Sequence, residues 1–266
     1  MTVGARERIA VVTGGSSGIG LSTVRRLVSE GYKVAFFGRT PQRVSAAGET
    51  LISQFGEDAI FYRSVDINEA TAIVGFFDEV RSYWGPPDTL ICNAGVSPKA
   101  KDGKAAAFVE TSIEEWNAVL STNLIGPVLC CQRVLPDLIK WRFGRIVLVG
   151  SIAGRTLPGS LAARYTASKT ALSGCLRSLV STLGGTGVTA NIVAPGHIVT
   201  EMTGPIDSDS NRDALSRIPV GRLGSPDDVA TVIAFPASEN AGFINGATID
   251  VNGENTFHPN TTSAGR

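Results

Sequence analysis

Tyr165 and Lys169 stand four residues apart in the run Tyr165-Thr-Ala-Ser-Lys169, so a helix here places both side chains on one face. The pairing is a general acid beside a cation. A free phenol ionises near pH 10, so bringing it toward neutrality takes about 4 kcal/mol of differential stabilisation of the phenolate; a fixed positive charge acts in that direction. Taken alone, the same spacing occurs on many helices, and the rest of the chain decides between the readings. The second stretch with chemical content is Thr13-Gly-Gly-Ser-Ser-Gly18-Ile-Gly20. Gly14, Gly18 and Gly20 let the backbone turn tightly and approach a pyrophosphate, which would rest on the N-terminus of a helix opening at Gly18. The spacing is not G-x-G-x-x-G, and plain turn chemistry is the alternative. Its place directly after a first strand favours phosphate.

The elements that must position these residues follow from the hydrophobic pattern. Residues 8–13 form a short β-branched run that reads as a buried strand, followed by a helix over 18–29. A second strand over 33–37 ends at Gly38-Arg39-Thr40, where a Rossmann-like unit meets the adenosine ribose. An acidic residue there would accept bonds from a free 2′-hydroxyl, whereas the planar fork of Arg39 suits a 2′-phosphate. NADP(H) is therefore favoured over NAD(H), with a solvated surface arginine as the other reading. Ser16 and Ser17 offer no second basic partner in the loop.

Pro41 opens a helix to about residue 55, and residues 59–64 form a third strand ending at Asp66-Ile67, where an adenine would dock. Asp66 could equally cap a helix beginning near Glu69. A strand over 89–92 enters Asn93-Ala94-Gly95, small residues that permit close approach by a ligand. Residues 97–110, with Lys99, Lys101, Asp102 and Lys104, read as a solvated loop. Ser112-Ile-Glu-Glu115 is a capping box for a helix running to about Trp141, bent by Pro127 and Pro136. A fifth strand over 145–149 delivers Ser151 to the carboxyl edge of the sheet. A long helix over 160–183 carries Tyr165 and Lys169. A sixth strand over 188–193 leads into Pro195-Gly-His-Ile-Val-Thr200. The polar segment 201–222 reads as a mobile lid, Ser225-Pro226-Asp-Asp228 caps another helix, and 247–251 is a last strand. Residues 257–266 read as a disordered tail. The alternation implies one domain over 1–256: a Rossmann-type, doubly wound parallel α/β sheet of about seven strands flanked by helices.

Composition bounds the partners. With 24 basic and 24 acidic side chains in 266 residues the net charge is zero, which suggests neither nucleic acid nor an anionic membrane as partner. Ile9-Ala-Val-Val12 is too short for a signal-peptide core and no apolar run approaches a membrane span, so a cytoplasmic protein is expected. Cys92, Cys130, Cys131 and Cys175 lie in apolar segments without metal-ligand spacing, so buried free thiols are expected and no metal. With only His197 and His258, a histidine-centred mechanism has little support; His197 could touch the nicotinamide side or the lid, or be a plain loop residue.

Together these residues resemble the short-chain dehydrogenases/reductases, with the nearest likeness to 3-oxoacyl-acyl-carrier-protein reductases. The motifs occur in order over most of the chain: Thr13-Gly-x-x-x-Gly18-x-Gly20, Asp66, Asn93-Ala-Gly95, Asn123, Ser151, Tyr165-x-x-x-Lys169 and Pro195-Gly196 with Thr200. The resemblance implies a tetrad. Tyr165 would exchange a proton with the substrate oxygen while hydride passes between its carbon and the nicotinamide. Ser151 would hold that oxygen, Lys169 would bind the nicotinamide ribose and depress the Tyr165 pKa, and Asn123 would hold a relay water. The dinucleotide would meet Gly14, Ser16, Ser17, Gly18, Ile19, Gly20, Arg39, Thr40, Asp66, Ile67, Asn93, Ala94, Gly95, Tyr165, Lys169, Pro195, Gly196, Ile198 and Thr200.

The sequence also departs from the family pattern. Cys92 stands where asparagine is common, Ser151 and Tyr165 are one residue further apart than in the acyl-carrier-protein reductases, and Phe235-Pro236 and Asn252-Gly-Glu254 are unusual near expected subunit contacts. A homotetramer is still implied. The resemblance implies a carbonyl or secondary alcohol as substrate. Leu157, Pro158, Leu161 and Ile198, with Arg155 and Arg164 the nearby charges, suggest a largely apolar or polar-tailed ketone, a carrier-linked thioester included. The alternatives are an NAD-dependent alcohol or amino-alcohol dehydrogenase and a non-catalytic dinucleotide-binding regulator on the same fold.

Overall fold

Burial on both faces explains the strands. In the computed structural model, which describes residues 7–98, 107–156 and 163–253, β1 (Ile9–Thr13) is buried along its whole length, as parallel strands with two covered faces must be. Val11 points into one core layer and Ala10 and Val12 into the other. β2 (Lys33–Gly38), β3 (Ile60–Ser64), β4 (Thr89–Cys92), β5 (Gly144–Val149), β6 (Val188–Pro195) and β7 (Thr248–Val251) complete a parallel sheet of order β3-β2-β1-β4-β5-β6-β7.

The helices supply the two covers. On one face α1 (Gly18–Ser29), α2 (Pro41–Phe55) and α8 (Pro226–Ala237) pack through residues such as Val24, Leu27, Leu51 and Ile233. On the other lie α3 (Ala70–Tyr83), α5 (Gly126–Trp141) and α6 (Ala163–Thr182), contributing Phe76, Val134, Leu138 and Leu172. The chain leaves β1 toward β2 on one side and β4 pairs on the other, so the order reverses between β1 and β4. At such a switch point, loops diverge beyond the carboxyl ends of the strands and leave a crevice.

Several expectations are corrected. The helix from Ser112 is not one bent rod. Its capping box is present, but α4 (Ile113–Leu120) gives way to a π-turn, Ser121–Ile125, before α5. Pro127 is the reason: it has no N–H for the carbonyl four residues back, that of Asn123, and its ring crowds that position. The backbone widens there, and the Gly126 N–H reaches Ser121. Ile113–Trp141 as a whole is also long and apolar enough, by length and composition, to cross a membrane, contrary to expectation. Here Val119, Cys130, Val134 and Leu138 bury one side of it in the protein.

β6 runs two residues further than expected, because β7 supplies partners as far as Pro195. Cys175 is only half-buried, unlike Cys92, Cys130 and Cys131. The segment 201–222 contains a helix, α7 (Asp209–Ser216), capped by the Ser208 hydroxyl. Lys99, Lys101, Asp102, Lys104, Leu157, Pro158, Leu161, Glu254, His258 and the tail lie outside the described residues.

Candidate active site

A cleft of ≈950 Å³ opens at the carboxyl edge of the sheet. Of the residues singled out in the sequence, Gly14, Ser16, Ser17, Gly18, Ile19, Arg39, Thr40, Asp66, Ile67, Asn93, Ala94, Gly95, Ser151, Tyr165, Lys169, Pro195, Gly196, Ile198 and Thr200 line it. Gly20 and Asn123 do not, and each has a supporting task instead.

The β1–α1 turn is built for backbone approach. Gly14 and Gly18 have φ of 66° and 50°, the left-handed region that side chains rarely adopt. A Cβ on Gly20 would lie 2.1 Å from the Gly14 carbonyl oxygen, so Gly20 lets the helix start tuck under the turn. The β4 loop locks the same turn from the other side. The Asn93 side-chain amide donates to the carbonyls of Thr13 (3.0 Å) and Gly14 (3.1 Å), and the Thr13 hydroxyl accepts from the N–H groups of Asn93 and Ala94. Asn93 is thus a brace whose side chain is spent on the loop. Asp66 is likewise engaged: one carboxylate oxygen accepts from the N–H and amide of Asn68, closing a local turn. It does not cap α3, whose N-cap is Glu69.

At the end of the cleft beyond β2, Arg39 is exposed and its guanidinium has no hydrogen bond or ion pair among the described residues. The glycine loop holds no second cation, but one is supplied from α2. Arg43 lines the same rim, 2.5 Å from the carboxylate of Glu201. The available signal was the four-residue step from Arg39 across the Pro41 helix start.

Opposite, the Tyr165–Lys169 pair is helical as expected. The Lys169 ammonium lies 5.9 Å from the Tyr165 ring centre and donates to the Val149 carbonyl at 2.8 Å. Burial pushes Lys169 down to about 8, partly opposed by the nearby Cys92 thiol. Burial also pushes the Tyr165 phenol up, with the hydrogen-bonded Ser151 hydroxyl acting the other way. In the protein alone, burial outweighs the Ser151 hydrogen bond, and the phenol lies above its ordinary value rather than below it. Ser151 also accepts from the Ala153 N–H at 3.2 Å, so its hydroxyl caps the turn after β5 while lining the cleft.

Asn123 is fully buried in the π-turn. Its amide oxygen accepts from the Val96 N–H (2.8 Å), and its nitrogen donates to the Val96 carbonyl (2.9 Å) and the Ser168 hydroxyl (3.0 Å). The side chain is satisfied by protein, and the Pro127 effect leaves its backbone carbonyl as the group without an i+4 donor. A Cβ on Gly95 would sit 3.3 Å from Lys169 Nζ and 3.4 Å from Asn123 Oδ1, so this glycine keeps open the space where the two meet.

Neither arginine expected near the substrate reaches the cleft. Arg164 is buried, donating to the Pro98 carbonyl at 3.0 Å with Glu115 at 3.5 Å, and Arg155 pairs with Asp250. The walls beyond Tyr165 are formed by Pro98, Ile152, Ala153, Met202 and Ala214. His197 lines the cleft and reaches the 201–222 segment: its Nε2 is 2.5 Å from Oδ1 of the buried Asn211 on α7. No group of three metal-ligating side chains comes together among the described residues.

A doubly wound parallel sheet, a glycine turn at its switch point and a buried Tyr-Lys pair across the cleft define a class: dinucleotide-binding α/β oxidoreductases. Residues 14–253 match the family model described as enoyl-(acyl carrier protein) reductase. The chain is 38% identical over 247 residues to a 3-oxoacyl-[acyl-carrier-protein] reductase of Mycobacterium avium, covering 93% of this chain and 89% of that protein. A Staphylococcus aureus reductase of the same name is 35% identical over 246 residues, covering 92% and 96%. Among solved structures, a 3-oxoacyl-[acyl-carrier protein] reductase from Brucella melitensis superposes with a TM-score of 0.87 at 30% identity, covering 93% of this chain and 91% of that one. A further Brucella melitensis reductase with bound NAD gives 0.85 at 30% identity, covering 94% and 91%. A metagenomic blue fluorescent protein in complex with NADPH gives 0.82 at 28%, covering 93% and 97%. The chain belongs to the short-chain dehydrogenase/reductase family, and it is a pyridine-nucleotide oxidoreductase acting on a carbonyl or secondary alcohol.

Proposed function

We propose that this enzyme reduces a largely apolar ketone or 3-oxoacyl group with NADPH, Tyr165 supplying the proton. The observation that carries the reading is the pairing, in one cleft, of a buried neutral phenol with a glycine cradle sized for a dinucleotide. Gly14, Gly18 and the α1 N-terminus would face the pyrophosphate, Asp66 and Ile67 the adenine, Arg39 a 2′-phosphate, and Pro195, Gly196 and Thr200 the nicotinamide end. Bound there, the cofactor supplies the hydride for the carbonyl carbon.

The protein's own part is positioning and proton control. Ser151 and Tyr165 converge on the substrate oxygen, which orients the carbonyl and stabilises the charge that develops on it. A phenol is protonated at neutral pH and burial favours that form further, so Tyr165 stands in the donor form that reduction requires. Lys169 is mostly ammonium at neutral pH and offers donors to ribose hydroxyls while stabilising the phenolate left behind. Reprotonation from solvent would pass Lys169 and a water held at the backbone carbonyl of Asn123.

The relatives named as 3-oxoacyl-[acyl-carrier-protein] reductases support a 3-oxoacyl substrate, carrier-linked thioesters included, and the apolar walls at Pro98, Ile152 and Met202 suit an acyl chain. Association into a homotetramer belongs to the same reading, supported by the exposed Ile125 and Ile139 on the α4–α5 side and Phe235 and Phe243 near α8. A panel of ketones, 3-oxoacyl thioesters and alcohols, assayed with NADPH and NADH and with Tyr165→Phe as control, tests the proposal. Turnover only with alcohols and NAD would instead favour a catabolic dehydrogenase.

A further inference from the structure

The ion pair between Arg43 and Glu201 joins parts of the chain 158 residues apart. Arg43 lies in the first turn of α2, on the rim it shares with Arg39 and Thr40, and Glu201 is the first residue of the 201–222 segment. Both line the cleft and both are exposed, at 55% and 70%. Glu201 follows Thr200, whose methyl would lie 3.4 Å from a Cβ on Gly18. The pair therefore runs from the base of that segment, beside the pyrophosphate turn, to the rim where a ribose 2′-substituent would sit.

We propose that Glu201 is a counter-ion that a 2′-phosphate displaces: Arg43, paired with Glu201 in this structure, turns to the phosphate and joins Arg39 there. This rests on the dinucleotide reading above. An exposed ion pair shifts an equilibrium by less than about fivefold, whereas a charge-assisted contact to a phosphate is worth about tenfold or more, so the phosphate wins the exchange. A free 2′-hydroxyl carries no charge with which to compete, and Arg43 stays on Glu201. Glu201 thus lowers the affinity for the phosphorylated dinucleotide alone, through the competition and through its own repulsion of the phosphate.

Equilibrium titrations of nucleotide fluorescence with the intact protein test this independently of turnover. Glu201→Gln should tighten NADPH about three- to fivefold and leave NADH within about twofold. Arg43→Gln should weaken NADPH about tenfold with little change for NADH, and Arg43→Lys should recover part of the loss because it keeps the charge without the fork. In the Arg43→Gln background the tightening by Glu201→Gln should shrink to what relief of repulsion alone gives, a coupling the double-mutant cycle reads directly. An equal effect of Glu201→Gln on both nucleotides, or an unchanged NADPH/NADH ratio in Arg43→Gln, overturns the proposal. A wild-type protein that binds neither nucleotide overturns the dinucleotide reading itself, and this proposal with it. Unaltered thermal unfolding of the variants separates either result from damage to the fold.

Discussion

Lys169 should make the protein less stable than it would be with an apolar side chain there, and the deficit should depend on pH in a defined way. Burial lowers its pKa from 10.5 to about 8. That difference corresponds to about 3 kcal/mol favouring the neutral amine in the folded state. Below pH 8 both states hold the proton and the full penalty is present. Between about 8 and 10.5 the folded protein has lost the proton while the unfolded chain still binds it, so stability rises with pH; above 10.5 the penalty is gone. Cys92, raised by its hydrogen bond with Cys131 and then by burial, and Cys130, raised by burial, contribute with the opposite slope. Comparison with Lys169→Met cancels most of that background. Loss of the Nζ–Val149 bond adds an offset that varies little with pH. The stability advantage of the Met variant, from urea unfolding at fixed protein concentration under reducing conditions, should therefore shrink by about 3 kcal/mol between pH 7.5 and 10.5. A difference that is flat across that window, or that grows, refutes the claim that Lys169 is buried as a costly cation.

Tyr165→Phe should lower kcat for carbonyl reduction by about 10²-fold or more and leave NADPH binding within a few-fold, as steady-state kinetics and nucleotide titration will show. A variant retaining more than about a tenth of wild-type kcat would mean that another group donates the proton. Arg39→Asp should cost about 10- to 150-fold in kcat/KM with NADPH and raise kcat/KM with NADH, with kcat less affected because the reacting end is distant. An unchanged preference would make Arg39 a surface residue only. Hydrogen exchange over 201–222 should slow on binding of cofactor and substrate, since only Asn211, Ala214 and Ile218 anchor this polar stretch in the core. Equal protection with and without ligands would contradict a lid.

Much of this molecule is legible because its determinants are local. Strands buried on both faces read as continuous apolar runs, and the capping boxes Ser112–Glu115 and Ser225–Asp228 mark helix starts within four residues. The Tyr165–Lys169 spacing holds because it depends only on helical pitch. Features set by distant partners were not legible. The ion pair of Arg43 needs Glu201, the extension of β6 needs β7, and the satisfied amide of Asn123 needs Val96. Arg164 and Arg155 look like substrate contacts by position in the chain, but their partners Pro98, Glu115 and Asp250 draw them away.

Pro127 shows how a local signal can be seen and still misread. A proline in a helical pattern suggests a bend, and the physical event is instead the loss of one donor opposite one acceptor. That acceptor is the carbonyl of Asn123, whose side chain is pinned to Val96 and Ser168, the latter on the helix that carries Tyr165 and Lys169. The residue whose amide is pinned is therefore also the one whose carbonyl Pro127 denies an i+4 donor. If the carbonyl serves proton return, the essential part of Asn123 is its backbone, and the amide serves to hold that backbone in place. Pro127→Ala restores the missing N–H and should let the α-helical bond form. Proton return would then weaken with Tyr165, Ser151 and Lys169 all intact, a loss that no reading of side chains alone would anticipate.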